Sequence, residues 1–207
     1  NSGSSALTLA TNVLNFKKGV EIITPCLNFG TAVSSIINSG ATPIFVDAEV
    51  DTLQIDIDEF KKKITKKTKG IIIPNLIGNI PDWKKIKQIS NKFNLKIIED
   101  SADTLGASID NRPTGIYSDI SITSFYGSHI INCAGNGGYV GFNSKQLYKH
   151  AKLLRSWGRS SSLYDASLGI DSLEFVSKIT GDYFIVDGQD ATNFTVTYYA
   201  SMQDAEA

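Results

Sequence analysis

Short apolar runs alternate with longer amphipathic segments through the first three quarters of the chain. Val20-Glu21-Ile22-Ile23-Thr24, Thr42-Pro43-Ile44-Phe45-Val46-Asp47, Gly70-Ile71-Ile72-Ile73-Pro74, Lys96-Ile97-Ile98-Glu99-Asp100 and Ile120-Ser121-Ile122-Thr123 are rich in isoleucine and bounded by glycine, proline or polar residues. Runs of this length and content are predicted to be strands, most of them buried on both faces. The segments between them have helical spacing. Ala6–Leu14 suits a largely buried helix, and Thr31–Asn38 a second one closed by Gly40. Asp56 caps a third through Ile64, and Asp82 caps Trp83–Phe93, where Ile86, Ile89 and Phe93 mark the inward stripe. Tyr139-Val140-Gly141-Phe142 reads as a further strand and Lys145–Arg155 as a helix, on which His150 is expected to be exposed among lysines. This alternation predicts an α/β fold, a mostly parallel central sheet flanked by helices in three layers. From Arg159 the pattern loosens, with one strand expected around Tyr183–Val186, and there are no internal repeats.

Composition narrows the function classes. At 207 residues the chain has room for one sizeable core, or a domain with a fragment of another. A net charge of −1 gives no electrostatic case for nucleic acid or an anionic membrane. Lys61-Lys62-Lys63 and Lys66-Lys67 lie on or beside a predicted helix and read as a solvated face. Two cysteines, Cys26 and Cys133, fit a reduced cytoplasmic protein and have no metal-ligand spacing. No apolar run approaches a membrane span, and no signal peptide is visible. The Asn193-Phe194-Thr195 sequon is a chance match in such a chain. Because the sequence opens at what looks like the cap of a buried helix, both ends are expected to be cut from something longer.

The candidate chemistry sits at strand ends. Ile98-Glu99-Asp100-Ser101-Ala102-Asp103 delivers carboxylates, and Ser124-Phe125-Tyr126-Gly127-Ser128-His129 delivers a serine and a histidine before the glycine cluster Gly135-Asn136-Gly137-Gly138. Polar residues there face a cleft at the carboxyl edge of the sheet. Gly3-Ser4-Ser5 opens the first helix, where free amides serve either a plain cap or a phosphate. A single histidine after a strand is more often structural than catalytic. Its combination with Asp100 and the first residues changes that balance.

The ordered set of these pieces over residues 1–158 resembles the DegT/StrS-type sugar aminotransferases, which depend on pyridoxal 5'-phosphate (PLP) and have the fold-type I architecture. Asn1-Ser2-Gly3-Ser4-Ser5-Ala6 is similar to the family's phosphate-side helix start, and Pro25–Phe29 to its aromatic loop. Ile44–Asp47 and Ile98–Asp100 are similar to its strand ends, and Leu154-Arg155-Ser156-Trp157-Gly158 to its late arginine-glycine segment. The resemblance implies that Phe29 stacks on the cofactor ring and that Asp100 pairs with the pyridine nitrogen. It implies that Asp103 sits beside the ring hydroxyl, where the family usually has glutamine, and that Gly3, Ser4, Ser5 and Ser124 serve the phosphate. Asn136 stands where the family usually has glutamate. On this view residues 1–158 are an N-terminally truncated cofactor-binding large domain, 159–207 an irregular continuation, and the small C-terminal domain is missing.

His129 stands where the aminotransferases carry the lysine that binds the cofactor covalently. Histidine cannot make that link, but imidazole moves protons at neutral pH. The resemblance therefore implies the nucleotide-sugar 3-dehydratases, which use pyridoxamine 5'-phosphate (PMP) on a nucleotide-linked 4-keto-6-deoxyhexose in deoxysugar and lipopolysaccharide biosynthesis. One kind of these enzymes carries an iron–sulfur cluster. Ala102 and Ser160-Ser161-Ser162 occupy the places of its cysteines, so the cluster-free kind recharged by glutamate is expected, without metal, as a cytoplasmic homodimer. Two alternatives stand beside it: a sugar aminotransferase in which His129 serves another proton transfer, and a non-enzymatic remnant.

Overall fold

Three consecutive isoleucines in the third strand show how the sequence builds the layers. Ile72 joins a hydrophobic cluster with Leu7, Ile22, Ile36, Ile98 and Ile122, whereas Ile71 and Ile73 join another with Ile23, Phe60, Trp83 and Ile97. Side chains alternate faces along a strand, so neighbours in sequence are buried on opposite sides of one sheet. The computed structural model describes residues 1–129 and 131–155 with their side chains, and beyond them the backbone of three strands.

The elements follow as α1 (Gly3–Leu14), β1 (Glu21–Pro25), α2 (Gly30–Asn38), β2 (Thr42–Val46), α3 (Ile57–Lys63), β3 (Thr68–Pro74), α4 (Trp83–Phe93) and β4 (Lys96–Asp100). A small hairpin, β5 (Ser108–Ile109) and β6 (Arg112–Pro113), precedes β7 (Ile120–Ser124), β8 (Gly138–Phe142) and α5 (Lys145–Arg155). The main sheet has the order β2-β1-β3-β4-β7-β8. Its first five strands run parallel, and β8 returns antiparallel beside β7. Helices α1, α2 and α5 contribute to the first cluster through Leu7, Ala10, Ile36 and Ala151. Helices α3 and α4 contribute to the second through Phe60, Trp83 and Ile86. The α/β fold with a mostly parallel sheet between helical layers is therefore the one the sequence pattern predicts. Beyond the sheet, β9 (Leu173–Phe175), β10 (Tyr183–Asp187) and β11 (Thr195–Tyr199) form an antiparallel sheet in the order β11-β10-β9. The strand expected at Tyr183–Val186 is β10. The rest of 159–207, and Ser156-Trp157-Gly158 before it, lie outside the described residues.

Several local expectations hold for stated reasons. Asp56 accepts from the Glu59 N–H and Asp82 from the Lys85 N–H, so both act as N-caps. The Lys61-Lys62-Lys63 run falls in the last turn of α3, where cations suit the helix dipole. Two expectations are corrected. Phe93 does not complete the inward stripe of α4; it is 40% exposed, with the Lys92 ammonium over its ring. It is the last helical residue, the chain leaves through left-handed Asn94, and Leu95 enters the core instead. His150 is not simply exposed. It is half-buried, and its Nδ1 meets the Val13 carbonyl at 3.0 Å, at the end of α1 where helix carbonyls lack internal partners. The connection from Gly106 to Gly115 carries the hairpin through Asp110 and Asn111, whose φ values of 51° and 59° suit a tight turn between twisted strands.

The start of α1 is fixed by a close approach. A Cβ on Gly138 would lie 2.1 Å from the Ser2 carbonyl oxygen, and one on Gly3 would lie 2.7 Å from the Ser124 Cβ. Only hydrogen fits at either place. Gly138→Ala should therefore push the helix start off the sheet and cost about 1–3 kcal/mol in chemical denaturation. A variant as stable as the parent would show that the approach is looser than this.

Candidate active site

Strands β3, β4 and β7 run in one direction, so their carboxyl ends share one edge of the sheet, the edge where open α/β sheets bind ligands. The alternation that sorts the isoleucines also sorts the polar residues. Ile98 and Ile122 face the α1 side, so two positions later Asp100 and Ser124 face it too. They line a cleft of about 630 Å³, within the range of small-molecule sites. Gly3 and Ser4 from the start of α1, Leu27, Asn28 and Phe29 from the β1–α2 loop, and Asp103, Tyr126 and His129 from the loops after β4 and β7 complete the walls.

At the helix start, Ser2 is the N-cap and its Oγ accepts from the Ser5 N–H at 3.1 Å. The amides of Gly3 and Ser4 then have no acceptor within the helix, and both residues line the cleft. Ser124 is 8% exposed and packs against Gly3, so its hydroxyl and the helix start form one cradle. Ser5 is not on the cleft wall. Its hydroxyl donates to Asn1 Oδ1 at 2.6 Å, turning it away from the cradle expected of it. Phe29 is 70% exposed at the mouth, a large apolar face without cover.

Asp100 is 6% exposed and accepts the Ala102 N–H at 3.1 Å. Burial pushes its carboxyl up to about 6, opposed mainly by that hydrogen bond. The charge of Asp103 adds to the rise and that of His129 counters it. Asp103 Oδ1 lies 3.3 Å from His129 Nδ1, and Asp103 Oδ2 accepts the Ile77 N–H at 3.1 Å. Asp100, Asp103, Ser124, Phe29, Gly3, Ser4 and His129 thus share one cleft.

Behind it lies a network that the sequence pattern did not single out. Glu99 faces away from Asp100, fully buried, and burial holds its carboxyl above the usual carboxylate range. Its Oε1 accepts from Asn75 and Ser101 at 2.9 and 2.8 Å, and its Oε2 accepts the Gly115 N–H at 2.9 Å. Asn75 in turn accepts the Trp83 Nε1–H at 2.8 Å and also lines the cleft. The signal was available: Asn75 follows the end of β3 as Ser101 follows that of β4.

Residues 1–173 match the DegT/DnrJ/EryC1/StrS aminotransferase family. The chain belongs to this family. A GDP-perosamine synthase of Escherichia coli O157:H7 is 39% identical over 71% of this chain and 40% of its own. A dTDP-4-dehydro-2,6-dideoxy-D-glucose 3-dehydratase of Saccharopolyspora spinosa is 34% identical over 77% of this chain and 36% of its own. Among solved structures, an E. coli GDP-4-keto-6-deoxy-D-mannose-3-dehydratase with bound hydrated PLP superposes with a TM-score of 0.68, at 31% identity. The match covers 74% of this chain and 40% of that one. The chain therefore spans about two fifths of the length of these relatives. These relatives are named for nucleotide-linked sugars, and the cleft has the volume of a small-molecule site.

The Asp100 carboxyl allows a direct test of this geometry. The folded chain holds the Asp100 proton more tightly than an unfolded one, in which it titrates near its ordinary 3.8. Stability from this group is therefore present at low pH and falls as pH rises from about 4 through about 6. Asp100→Asn keeps the acceptor for the Ala102 N–H and removes the charge. Without ligand it should be more stable than the parent at pH 7–8, on the order of 2–3 kcal/mol, with the gap closing below pH 4. Denaturation curves with the same pH dependence in both proteins would mean that the carboxylate is not desolvated.

Proposed function

We propose that this chain is the cofactor-binding part of a PLP/PMP-dependent nucleotide-sugar 3-dehydratase. Its substrate would be a nucleotide-linked 4-keto-6-deoxyhexose, with glutamate as the amine donor. The observation that carries the reading is the pairing of His129 with Asp103 on the wall of the cleft that Asp100 enters. The residues fit the cofactor. The helix start with Gly3, Ser4 and Ser124 suits a phosphate, and the uncovered Phe29 ring suits stacking on a flat heterocycle. The buried Asp100 carboxylate lacks the cation that a protonated pyridine nitrogen would supply.

When bound, PMP supplies the amine that captures a keto sugar and a ring able to accept an electron pair. Asp100 would hold the ring nitrogen and favour its protonated form. Gly3, Ser4 and Ser124 would hold the phosphate, and Phe29 would cover a ring face and exclude water. His129 removes and returns a proton at the reacting carbon, a task suited to imidazole near neutral pH. Lacking a primary amine, His129 would make no covalent link to the cofactor, which the site would hold noncovalently. Ala102, on the cleft wall, and Ser160-Ser161-Ser162 stand where the resemblance to the cluster-bearing dehydratases would call for cysteines, which supports the cluster-free reading.

Leu27, Phe29, Ile77, Tyr126 and Ile131 are exposed apolar side chains, four of them on loops that border the cleft, and they suit a homodimer interface. The reaction would take place in the cytoplasm, and none of the described helices is long and apolar enough to cross a membrane. A second reading, a sugar aminotransferase, is supported by the 39% identity to the perosamine synthase.

Product analysis separates the two. With PMP, glutamate and a GDP- or dTDP-linked 4-keto-6-deoxyhexose, the expected product lacks the 3-hydroxyl and retains the keto group. A 4-amino product would establish the second reading. Cofactor attachment gives an independent check. PLP should dialyse away from the parent and leave no adduct after borohydride, whereas His129→Lys should retain a reduced pyridoxyl group on the new side chain. A parent that is itself labelled on a cleft lysine would sink the role given to His129.

A further inference from the structure

Asp103 is joined to two partners, and neither contact is needed to hold a cofactor. One carboxylate oxygen lies 3.3 Å from His129 Nδ1, and the other accepts the Ile77 N–H at 3.1 Å. The Ile77 donor has a fixed direction. Its residue is in the left-handed conformation at φ 56°, inside the 3-10 turn Leu76–Gly78, where a β-branched side chain is rarely found. The histidine is restrained as well. Its backbone amide N–H donates to the Tyr126 carbonyl at 2.9 Å, and the Tyr126 ring stands edge-on to the imidazole at 6.4 Å.

From this geometry we infer that Asp103 is the positioning residue for His129. Its carboxylate keeps the imidazole proton on Nδ1 and so makes Nε2 the atom that takes and returns a proton in the cleft. The reason is electrostatic. A neutral imidazole carries one N–H and one lone pair, and a lone pair on Nδ1 would face an anion. With Nδ1 protonated, Nε2 is left as the base. When Nε2 accepts a proton, the resulting imidazolium lies beside a carboxylate that offsets its charge; the same proton returns from Nε2, and no electrons change hands. This departs from the expected place of Asp103 beside the ring hydroxyl. The inference rests on the proposed function only for the use made of Nε2, not for the tautomer.

The tautomer is measurable without substrate or cofactor. The chain has two histidines, so long-range proton–nitrogen spectra of the ligand-free protein show two imidazoles, assigned with His150→Gln. At a pH where both are neutral, His129 should carry its proton on Nδ1. Asp103→Asn is isosteric and has one oxygen for two donors. The Ile77 amide cannot change its donor role, so the carboxamide N–H should face Nδ1 and move the proton to Nε2. Asp103→Ala should give the Nε2–H form that free histidine prefers. A parent with Nε2–H, or variants with the parent's spectrum, would overturn the inference.

In the active enzyme Asp103→Asn should lower kcat about 10²-fold or more while the KM for the sugar and the affinity for PMP stay within about twofold. A loss confined to PMP affinity, with the tautomer unchanged, would restore Asp103 to the cofactor. If the tautomer shifts as stated but no dehydration is ever found, the proposed function fails and the positioning role stands.

Discussion

Burial on both faces of a parallel sheet is the constraint from which the site follows. Once Ile71, Ile72 and Ile73 are assigned to alternating clusters, the facing of every later residue in the neighbouring strands is fixed by count. Asp100 and Ser124 reach the α1 side because Ile98 and Ile122 do. Glu99 reaches the opposite side because Ile97 does. Two adjacent carboxylates thus receive different surroundings, one at a cleft and one inside a hydrogen-bonded network, without any separate device to keep them apart.

The two environments have opposite energetics. Glu99 is surrounded by donors from Asn75, Ser101 and Gly115, so its burial is offset by hydrogen bonds that also tie the end of β3 to the end of β4. Asp100 has a single backbone donor and a like charge nearby. The first arrangement is well satisfied in the ligand-free chain, whereas the second leaves a desolvated carboxyl that only the Ala102 N–H and the charge of His129 oppose. Functional sites are commonly held at such a cost by well-satisfied surroundings.

Much of this was legible in the sequence. The isoleucine runs gave the strands, and the aspartates at 56 and 82 gave helix starts, because both signals are local. Asp100, Ser124, Phe29, Gly3, Ser4 and His129 could be brought together from the order of strand ends and the family resemblance. What could not be read depends on contacts between distant segments. Ser5 was assigned to the cradle because a run of serines does not reveal which hydroxyl is taken by Asn1. His150 was placed in solvent because the Val13 carbonyl it meets lies 137 positions away. The Asp103–His129 contact was hidden for the same reason, since two loops after different strands meet only when the sheet has formed.

The alternation along β4 also restricts how such a site can change over time. Ile98 to Asp100 pair with β3 on one side and β7 on the other. An insertion of one residue early in this strand would turn Glu99 to the cleft face and Asp100 to the opposite one. A longer side chain would then enter the cleft, and the network with Asn75 would lose its acceptor. Length changes are tolerable instead in the connections, such as the β5–β6 hairpin, where an added residue alters no facing. The chemistry of this cleft can drift by replacement in place, but not by sliding the strand that carries it.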